Sequence, residues 1–535
     1  MSQNDDGAGT AGDAPSPVSE AAFARLLLLS VVLIASCGLV YELVAGAMAS
    51  YLLGDSVTWF SLVIGIYLSS MGVGAWLSKH VERDLVARFI EVEIAVALIG
   101  GFSGPILYAG FALTPAFRVV LFAVVALVGA GVGLELPLLL RILEARTPLK
   151  ELLARVLFLD YAGALVASLA FPLFLVPNLG LLRSSLALGL VNAGVALVTT
   201  WLFAAPPRVR RRLRLLAFAA LVLLSAGLFG ARAYETHLDA KMFTDPVVLV
   251  EQTPYQRIVV THRGDDTRLF LDGNLQLSSL DEYRYHEALV HPVMARSGAR
   301  ARVLVLGGGD GMAVREVLRW SEVEAVTLID LDPSMTRLFS ERPELAALNA
   351  RSLHDPRVHV VNDDAAGWVE TWDGPPWDVV IVDFPDPNHL ALGKLYSTWF
   401  YGNLRRVLAP DAWIAVQSTS PFYSPDAYWC ILRTLSHTGF STWPYHVWVP
   451  SFGDWGFILA RLDDAGDGGG FVGRAPSWEG AAAFPEGLRF LDVGSLPALF
   501  SFPPDMGPRD VPVNRLDNQA LVQLYARDWR DRDHR

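Results

Sequence analysis

The stretch ARVLVLGGGDG, residues 301–311, places an apolar run directly before a glycine-rich turn. A short aliphatic run bounded by glycine is typical of a buried strand. The helical pattern AVREVLRW follows at residues 313–320, so the order is strand, turn, helix. Glycines such as Gly307, Gly309 and Gly311 let a backbone turn tightly and approach a ligand closely. The stretch therefore predicts a nucleotide or nucleoside site at the end of a strand.

Four more apolar strands follow, separated by helical patterns: AVTLIDLD at 325–332, VHVVNDD at 358–364, WDVVIVDFP at 377–385 and AWIAVQST at 412–419. Strands that alternate with helices predict a mostly parallel sheet. Upstream, QRIVVTH and TRLFLDGNLQL flank the turn RGDD, which is typical of a β-hairpin.

Two acids refine the expected ligand. Asp330 lies at the end of the strand after the glycine turn, where a carboxylate holds ribose hydroxyls. Asp310 lies inside the turn, where it would repel a pyrophosphate but attract a cationic ligand. We therefore expect a sulfonium nucleoside, and the alternative is an ordinary tight turn without a ligand.

Composition limits the function. The chain has 535 residues, 52% of them hydrophobic, and a formal net charge of −12. An acidic chain is not expected to bind nucleic acid, which needs a basic surface. Cys37 and Cys430 are the only two cysteines, so we expect neither a disulfide framework nor a cysteine-ligated metal site.

The hydrophobic excess lies in the amino-terminal half. About seven apolar segments are predicted, most of them long enough as helices to cross about 30 Å of hydrocarbon. They lie near residues 23–45, 57–77, 89–113, 117–140, 156–177, 181–204 and 214–231.

Charge predicts how these segments would be oriented. Basic residues concentrate at 79–88, 141–155 and 208–214, and the positive-inside rule puts these loops and the amino terminus in the cytoplasm. A seventh crossing would then leave the rest of the chain outside, unless that segment is interfacial or re-entrant. We expect a multi-pass protein of the cell (inner) membrane, in contact with lipid. Substrate supply favours a cytoplasmic catalytic domain.

Four acids stand within or near the apolar segments: Glu42, Glu93, Glu135 and Asp160. Charged groups in such places are costly and face a bundle interior or a water-filled path. One interpretation is a proton or polyamine pathway. The other is a buried polar pair, or acids that reach water at the ends of the segments.

The expected fold class is an amino-terminal polytopic α-helical membrane domain, then a carboxyl-terminal α/β Rossmann-like domain of the methyltransferase type, preceded by a small β-strand region. The expected boundaries are a disordered tail at 1–20, the transmembrane domain at 21–233 and the catalytic domain at 234–535. Within the last, the small β region covers 245–290, the Rossmann-like core 300–462 and an extension 463–535.

Several ordered motifs resemble the spermidine synthase (polyamine aminopropyltransferase) family, including its bacterial members with a membrane domain. They are LDGNLQLSSLDEYRYHEALVHP at 271–292, GGGDG at 307–311, DVVIVDFPDP at 378–387, VQSTSPF at 416–422 and GFILA at 456–460. The resemblance implies aminopropyl transfer from decarboxylated S-adenosylmethionine, a co-substrate, to putrescine or a related amine. The products would be spermidine and methylthioadenosine, no further cofactor is expected, and a homodimer or higher homo-oligomer is implied.

The resemblance also implies roles for single residues. Asp383 would be the base that deprotonates the amine, and Tyr285 would assist it. Asp386, with His286 and Asp310, would bind the amine substrate. The donor would contact Gln256, Gln276, His286, Gly307, Gly309, Asp310, Gly311, Asp330, Asp364 and Ala365.

The chain departs from the family pattern mainly near the acceptor. Phe384 and Pro385 replace small polar residues between the two acids, and Thr419 stands where soluble members often carry an acid. A family tyrosine is replaced around Val449 and Pro450. Two alternatives stay open: an S-adenosylmethionine-dependent methyltransferase, and a polyamine transporter or sensor whose soluble domain only binds.

Overall fold

The computed structural model describes residues 20–53, 56–144, 148–202, 206–462 and 475–533. The predicted disordered tail, up to residue 19, and the glycine-rich run 463–470 lie outside these residues. The chain forms two compact units, Met1–Met242 and Phe243–Arg535, which we call the helical unit and the α/β unit. The boundary expected after residue 233 falls inside a helix that continues to Met242.

The helical unit contains eight described α-helices, which carry apolar side chains on buried and on exposed faces alike. They are α1 (Glu20–Leu53), α2 (Ser56–Leu77), α3 (Leu85–Gly101), α4 (Ser103–Leu113), α5 (Phe117–Glu144), α6 (Leu149–Ala170), α7 (Val176–Leu202) and α8 (Pro207–Met242).

Two predicted apolar segments are not single regular helices. The segment 89–113 is divided at Phe102 into α3 and α4. Between α6 and α7, Phe171–Leu175 forms a π-helical turn, and Gly180 kinks α7 with a φ of 72°. Five helical stretches of the described chain are long and apolar enough to cross a membrane, and one of them, Leu149–Trp201, comprises both α6 and α7.

The α/β unit begins with a four-stranded antiparallel sheet in the order β1-β2-β3-β4. Its strands are β1 (Val247–Gln252), β2 (Arg257–Arg263), β3 (Asp266–Leu271) and β4 (Asn274–Ser278). The run TRLFLDGNLQL, expected as one strand, is two, because Asp272 and Gly273 have positive φ values of 49° and 80° and reverse the chain.

A seven-stranded sheet follows, in the order β10-β11-β9-β8-β5-β6-β7. The five predicted strands form its parallel part: β5 (Arg302–Gly307), β6 (Ala325–Asp330), β7 (Val358–Asn362), β8 (Trp377–Asp383) and β9 (Leu408–Gln417). The hairpin of β10 (Phe440–Val449) and β11 (Gly453–Leu462) extends one edge antiparallel, and the sequence analysis did not predict it.

Helices cover both faces of this sheet, and two apolar clusters form its core. The helices are α9 (Glu282–Arg296), α10 (Met312–Val317), α11 (Pro333–Glu341), α12 (Pro343–Leu348), α13 (Ala365–Thr371), α14 (Leu390–Gly393), α15 (Thr398–Arg406), α16 (Pro425–His437) and α17 (Ala520–Asp533). Leu521 and Leu524 of α17 are buried in one cluster, so the carboxyl-terminal extension packs on the core.

Candidate active site

The site lies at the carboxyl ends of three neighbouring parallel strands, because such ends meet at one edge of a sheet. Gly307 ends β5 and is the register partner of Asp383, which ends β8. On the other side of β5, Asp330 ends β6. The glycine turn, Asp330 and Asp383 are therefore adjacent.

The glycines of the turn are required because the acids approach them closely. A Cβ at Gly307 would lie 2.2 Å from the backbone oxygen of Asp383, and one at Gly309 would lie 2.6 Å from Oδ2 of Asp330. Gly307, Gly308 and Gly311 have φ values of 80°, 68° and 75°, which other residues rarely adopt. Any side chain here would displace the backbone or the carboxylates.

Asp330 is held by two backbone donors. Its Oδ2 accepts from the Gly309 N–H at 2.9 Å and its Oδ1 from the Asp332 N–H at 2.9 Å. Burial raises the pKa of Asp330 to about 6, although these two hydrogen bonds oppose the shift. Asp310 turns back on its own helix, where its Oδ1 accepts from the Met312 N–H at 2.9 Å.

Asp383 is the most strongly perturbed acid at the end of β8. Burial raises its pKa to about 6, and the positive charge of His286 and a hydrogen bond from Tyr285 limit the rise. The Tyr285 hydroxyl donates to Oδ1 of Asp383 at 2.6 Å. The Tyr285 ring packs edge-on against Phe457, with centroids 5.1 Å apart, which fixes the direction of the hydroxyl.

His286 is oriented by a chain of charged groups. Its Nδ1 donates to Oε2 of Glu282 at 2.8 Å, and Arg315 donates to both oxygens of the same carboxylate at 3.0 and 2.9 Å. Burial lowers the pKa of His286, but the bond to Glu282 outweighs it, so the net shift is upward. Tyr285 and His286 both lie on α9, within the motif at residues 271–292.

Asp386 is surrounded by neutral donors. Its Oδ1 accepts from Gln417 at 3.1 Å, and its Oδ2 accepts from the hydroxyls of Thr419 at 3.2 Å and Tyr525 at 2.9 Å. Burial raises its pKa, and these hydrogen bonds oppose the rise. No cationic side chain is among these partners, so the carboxylate has hydrogen bonds but no counter-charge from them.

The unusual residues between the two acids point away from them. The Phe384 ring is buried against Tyr396 and Phe400, with centroids 6.2 and 5.7 Å away. The Tyr396 hydroxyl donates to the backbone oxygens of Phe384 and Pro385 at 3.2 and 3.1 Å. The replacement therefore fills the core and fixes the loop that carries Asp386.

The remaining predicted residues lie around the strand ends. Gln256 donates to Oδ2 of Asp332 at 3.0 Å, which ties the small sheet to the end of β6. Asp364 begins α13 beside the buried Ala365, and its Oδ2 accepts from Lys394 at 2.7 Å. Gln276 lies on β4, where its side-chain amide donates to the Asn274 carbonyl at 3.5 Å.

Several of these contacts were not predicted from the sequence. Asp332 had a recognisable signal, because an acid before Pro333 is typical of a helix N-cap, and it accepts from the Ser334 N–H at 2.9 Å. Tyr525 had no local signal, since it stands 139 residues from Asp386 in the chain. Glu282, Arg315, Lys394 and Gln417 were likewise absent from the expected set.

Known proteins match this chain along most of its length. Residues 282–465 match the spermine/spermidine synthase domain family. The polyamine aminopropyltransferase of Leptospira interrogans is 49% identical over 94% of this chain and 98% of its own length. Polyamine aminopropyltransferase 1 of Streptomyces coelicolor is 44% identical over 95% of each chain.

Among solved structures, spermidine synthase from Thermotoga maritima matches 48% of this chain and 84% of its own, at 24% identity and a TM-score of 0.42. The identities of the full-length relatives decide the assignment, because they extend through both units. The chain belongs to the spermine/spermidine synthase family of polyamine aminopropyltransferases.

Proposed function

We propose that the α/β unit transfers an aminopropyl group from decarboxylated S-adenosylmethionine to putrescine, with Asp383 as the base. The observation that carries this is the partly buried Asp383, bonded to Tyr285 and adjacent to the glycine turn. An alkylammonium resembles a lysine side chain, whose pKa is about 10.4, so the attacking amine must lose a proton. A carboxylate whose pKa is about 6 is ionised at neutral pH and accepts it.

The reaction is a displacement at carbon. The nitrogen lone pair of putrescine forms the new C–N bond to the methylene next to the sulfonium, while the C–S bond breaks and its electrons return to sulfur. Methylthioadenosine leaves as a neutral thioether, and the proton from nitrogen passes to Asp383. Tyr285 keeps the carboxylate oriented through its 2.6 Å hydrogen bond.

The donor would lie along the glycine turn. Asp330, whose oxygens already accept two backbone bonds, has lone pairs left for ribose hydroxyls. Gln256, Gln276 and Asp310 would hold the aminopropyl end, and Asp364 with Ala365 would face the adenine. The negative charge of Asp310 favours a cationic donor over S-adenosylmethionine, whose carboxylate it would repel, and so disfavours a methyltransferase.

The acceptor would lie at Asp386. Its three neutral donors leave the negative charge unbalanced, which favours the far ammonium group of a diamine. His286 would border the near end. We further propose that Tyr525 supplies a phenol at this end, because its hydroxyl donates to Asp386.

The test uses the full-length protein in detergent or nanodiscs with decarboxylated S-adenosylmethionine and putrescine. Release of methylthioadenosine together with spermidine supports the proposal. A folded protein that releases neither with putrescine or other diamines contradicts it. Transfer of a methyl group from S-adenosylmethionine would instead favour the methyltransferase alternative.

We also propose that the helical unit crosses the cell membrane and contacts lipid. Large apolar side chains such as Leu165, Phe174, Phe218 and Phe229 are exposed on its helices, and five stretches are long enough to cross. Substrate supply favours a cytoplasmic α/β unit, whereas the basic loops and a membrane-crossing α8 predict the opposite side. Labelling of a single introduced cysteine at the exposed Asp373, in intact and in permeabilised cells, decides between the two sides.

A further inference from the structure

The helical unit contains four buried polar side chains that lack hydrogen-bond partners in the described part of the chain. Tyr41, Glu93, Glu135 and Asn192 are each at most 3% exposed. All four carboxylate oxygens, the Tyr41 hydroxyl and both amide atoms of Asn192 are without a partner. Most buried polar groups in proteins are hydrogen-bonded, so this set is incomplete as it stands.

Close helix contacts bring three of these residues to one level of the bundle. A Cβ at Gly131 of α5 would lie 2.6 Å from Val96 of α3, and one at Gly189 of α7 would lie 2.9 Å from the Ala97 oxygen. Glu135 lies about one helical turn from Gly131, and Asn192 about one turn from Gly189. Glu93 lies about one turn from both Val96 and Ala97.

Tyr41 joins the set from a fourth helix, α1. A Cβ at Gly100 of α3 would lie 2.4 Å from the Tyr41 ring, so the ring packs directly on α3. The Tyr41 hydroxyl interacts electrostatically with both Glu93 and Glu135, and the two carboxyls interact with each other. The unpartnered hydroxyl therefore belongs to the same buried polar group as the two acids.

Two further acids connect this cluster with a more accessible position. Glu42 is 9% exposed and Asp160 is partly exposed, so both lie closer to the surface than Glu93. Tyr67, which donates to the Gly38 oxygen at 2.8 Å, interacts electrostatically with Glu42, Glu135 and Asp160. Glu93 and Glu135 thus form an inner pair, and Glu42 and Asp160 are two outer acids that each interact with Tyr67; of these, Asp160 also interacts with Glu135.

Among the described residues, no basic side chain forms a salt bridge with Glu42, Glu93, Glu135 or Asp160. The buried charged residues of the described helical unit are all acids, namely Glu42, Glu93, Glu135 and Asp239, and the last is bonded to Tyr108. An ionised carboxylate in an apolar environment requires a positive partner, because its desolvation is costly. The positive charge must therefore come from a ligand or a proton.

We propose that the helical unit binds a linear diamine or polyamine, with one ammonium group between Glu93 and Glu135 and another at the outer acid Asp160. The unpartnered acceptors outnumber the donors, and each ammonium brings three N–H donors together with the missing charge. Methylenes between the charged ends suit the apolar helix walls, and the Tyr41 ring offers a cation–π face. An alkali ion or a proton would neutralise the inner acids, but it would not connect them with the outer acids.

The ligand class rests on the proposed function, which makes polyamines the chemistry of this protein. Binding and catalysis are nevertheless separable, because the catalytic acids lie in the α/β unit and the acids of this site in the helical unit. Turnover can fail while binding persists, and the converse also holds.

The test is equilibrium binding of radiolabelled spermidine to the full chain in nanodiscs. Wild type should bind two equivalents, one at the active site and one in the helical unit. The double variant Glu93→Gln with Glu135→Gln should lose one equivalent and keep aminopropyl transfer. The matched control, Glu144→Gln at an exposed acid of α5, should keep both equivalents.

Tyr41→Phe provides a milder second variant that removes only the unpartnered hydroxyl, and it should weaken the second equivalent by several-fold. Two unchanged equivalents in the double variant overturn the proposal. So does displacement of spermidine by sodium at concentrations where choline has no effect, which would identify an alkali-ion site. Proton uptake at these acids with only one spermidine equivalent in wild type overturns it as well.

Discussion

The proposed donor end and the proposed acceptor end of the site are built from different kinds of contact. At the donor end, Gly307, Asp330 and Asp383 end strands that are neighbours in one sheet, and backbone N–H groups hold Asp330. At the acceptor end, Asp386 is held by the side chains of Gln417 and Tyr525, which come from distant parts of the chain. Sheet geometry fixes the first end, whereas tertiary packing fixes the second.

This difference predicts which residues determine the reaction shared by the family and which determine the substrate preference of this protein. Changes at the donor end disturb backbone positions on which the sheet itself depends, so few substitutions are compatible with the fold. Changes at the acceptor end alter single hydroxyl or amide contacts and leave the sheet intact. Four substitutions test this division, and the first of them has the largest expected effect.

Asp383→Asn should lower kcat by about a thousandfold, within the roughly 10²–10⁴ range of general-base catalysis. Binding of methylthioadenosine, measured by calorimetry, should remain because the glycine turn is unchanged. Asp373→Asn, at an exposed acid of the loop before β8, serves as the control and should be neutral. Equal loss of turnover and nucleoside binding would contradict the role as base.

Gly309→Ala should weaken donor binding by roughly 10- to 100-fold, because overpacking costs about 1–3 kcal/mol. Its Cβ would stand 2.6 Å from the Asp330 carboxylate. Donor KM should rise while the amine KM stays constant. Gly367→Ala, where a Cβ meets no atom within 4 Å, is the matched control. A rise in both KM values would show that the two ends are not independent.

Tyr285→Phe should lower turnover about tenfold at neutral pH, since a hydrogen bond to a charged group contributes about 1.5–3 kcal/mol. In the wild type, kcat should rise with pH through about 6 as Asp383 ionises. The Tyr285 hydroxyl stabilises the ionised form, so its removal raises the pKa of Asp383 and moves this limb to higher pH. An unshifted pH profile would exclude this contribution.

Tyr525→Phe should have the smallest effect, a rise of about fivefold in the amine KM, because Asp386 loses one of its three donors at a cost of about 1 kcal/mol. The donor KM should stay constant, and Gln417 and Thr419 still hold Asp386. Tyr255→Phe, at an exposed tyrosine of the same unit, is the control. A change in donor KM would break the division between the two ends.

The sequence predicted the donor end better than the acceptor end, for the same structural reason. The five parallel strands were identified from their apolar runs, and the order of strand, turn and helix indicated Gly307 and Asp330, whereas Asp383 was indicated by the family resemblance. The hairpin of β10 and β11 was missed, since its alternating aromatic and polar residues also fit a loop. The division of the second small-sheet run at Asp272 was missed because only the positive φ reveals the reversal.

Contacts over long separations could not be predicted from one sequence. Nothing near Asp386 indicates that Tyr525, 139 residues away, is one of its partners, and Thr419, 33 residues away, was indicated only by the family resemblance. The split between α3 and α4 and the extension of α8 to Met242 were likewise hidden, because apolar composition gives the extent of a helical region but not its breaks.

The contacts of Asp332 predict which parts of the α/β unit unfold together. Its Oδ2 accepts from Thr253 at 2.8 Å and from Gln256 at 3.0 Å, and its other oxygen caps α11. The small sheet and the end of β6 are therefore anchored to one carboxylate. Amide hydrogens of β2 and of the first turn of α11 should exchange with solvent as one cooperative group, and bound nucleoside should slow both together.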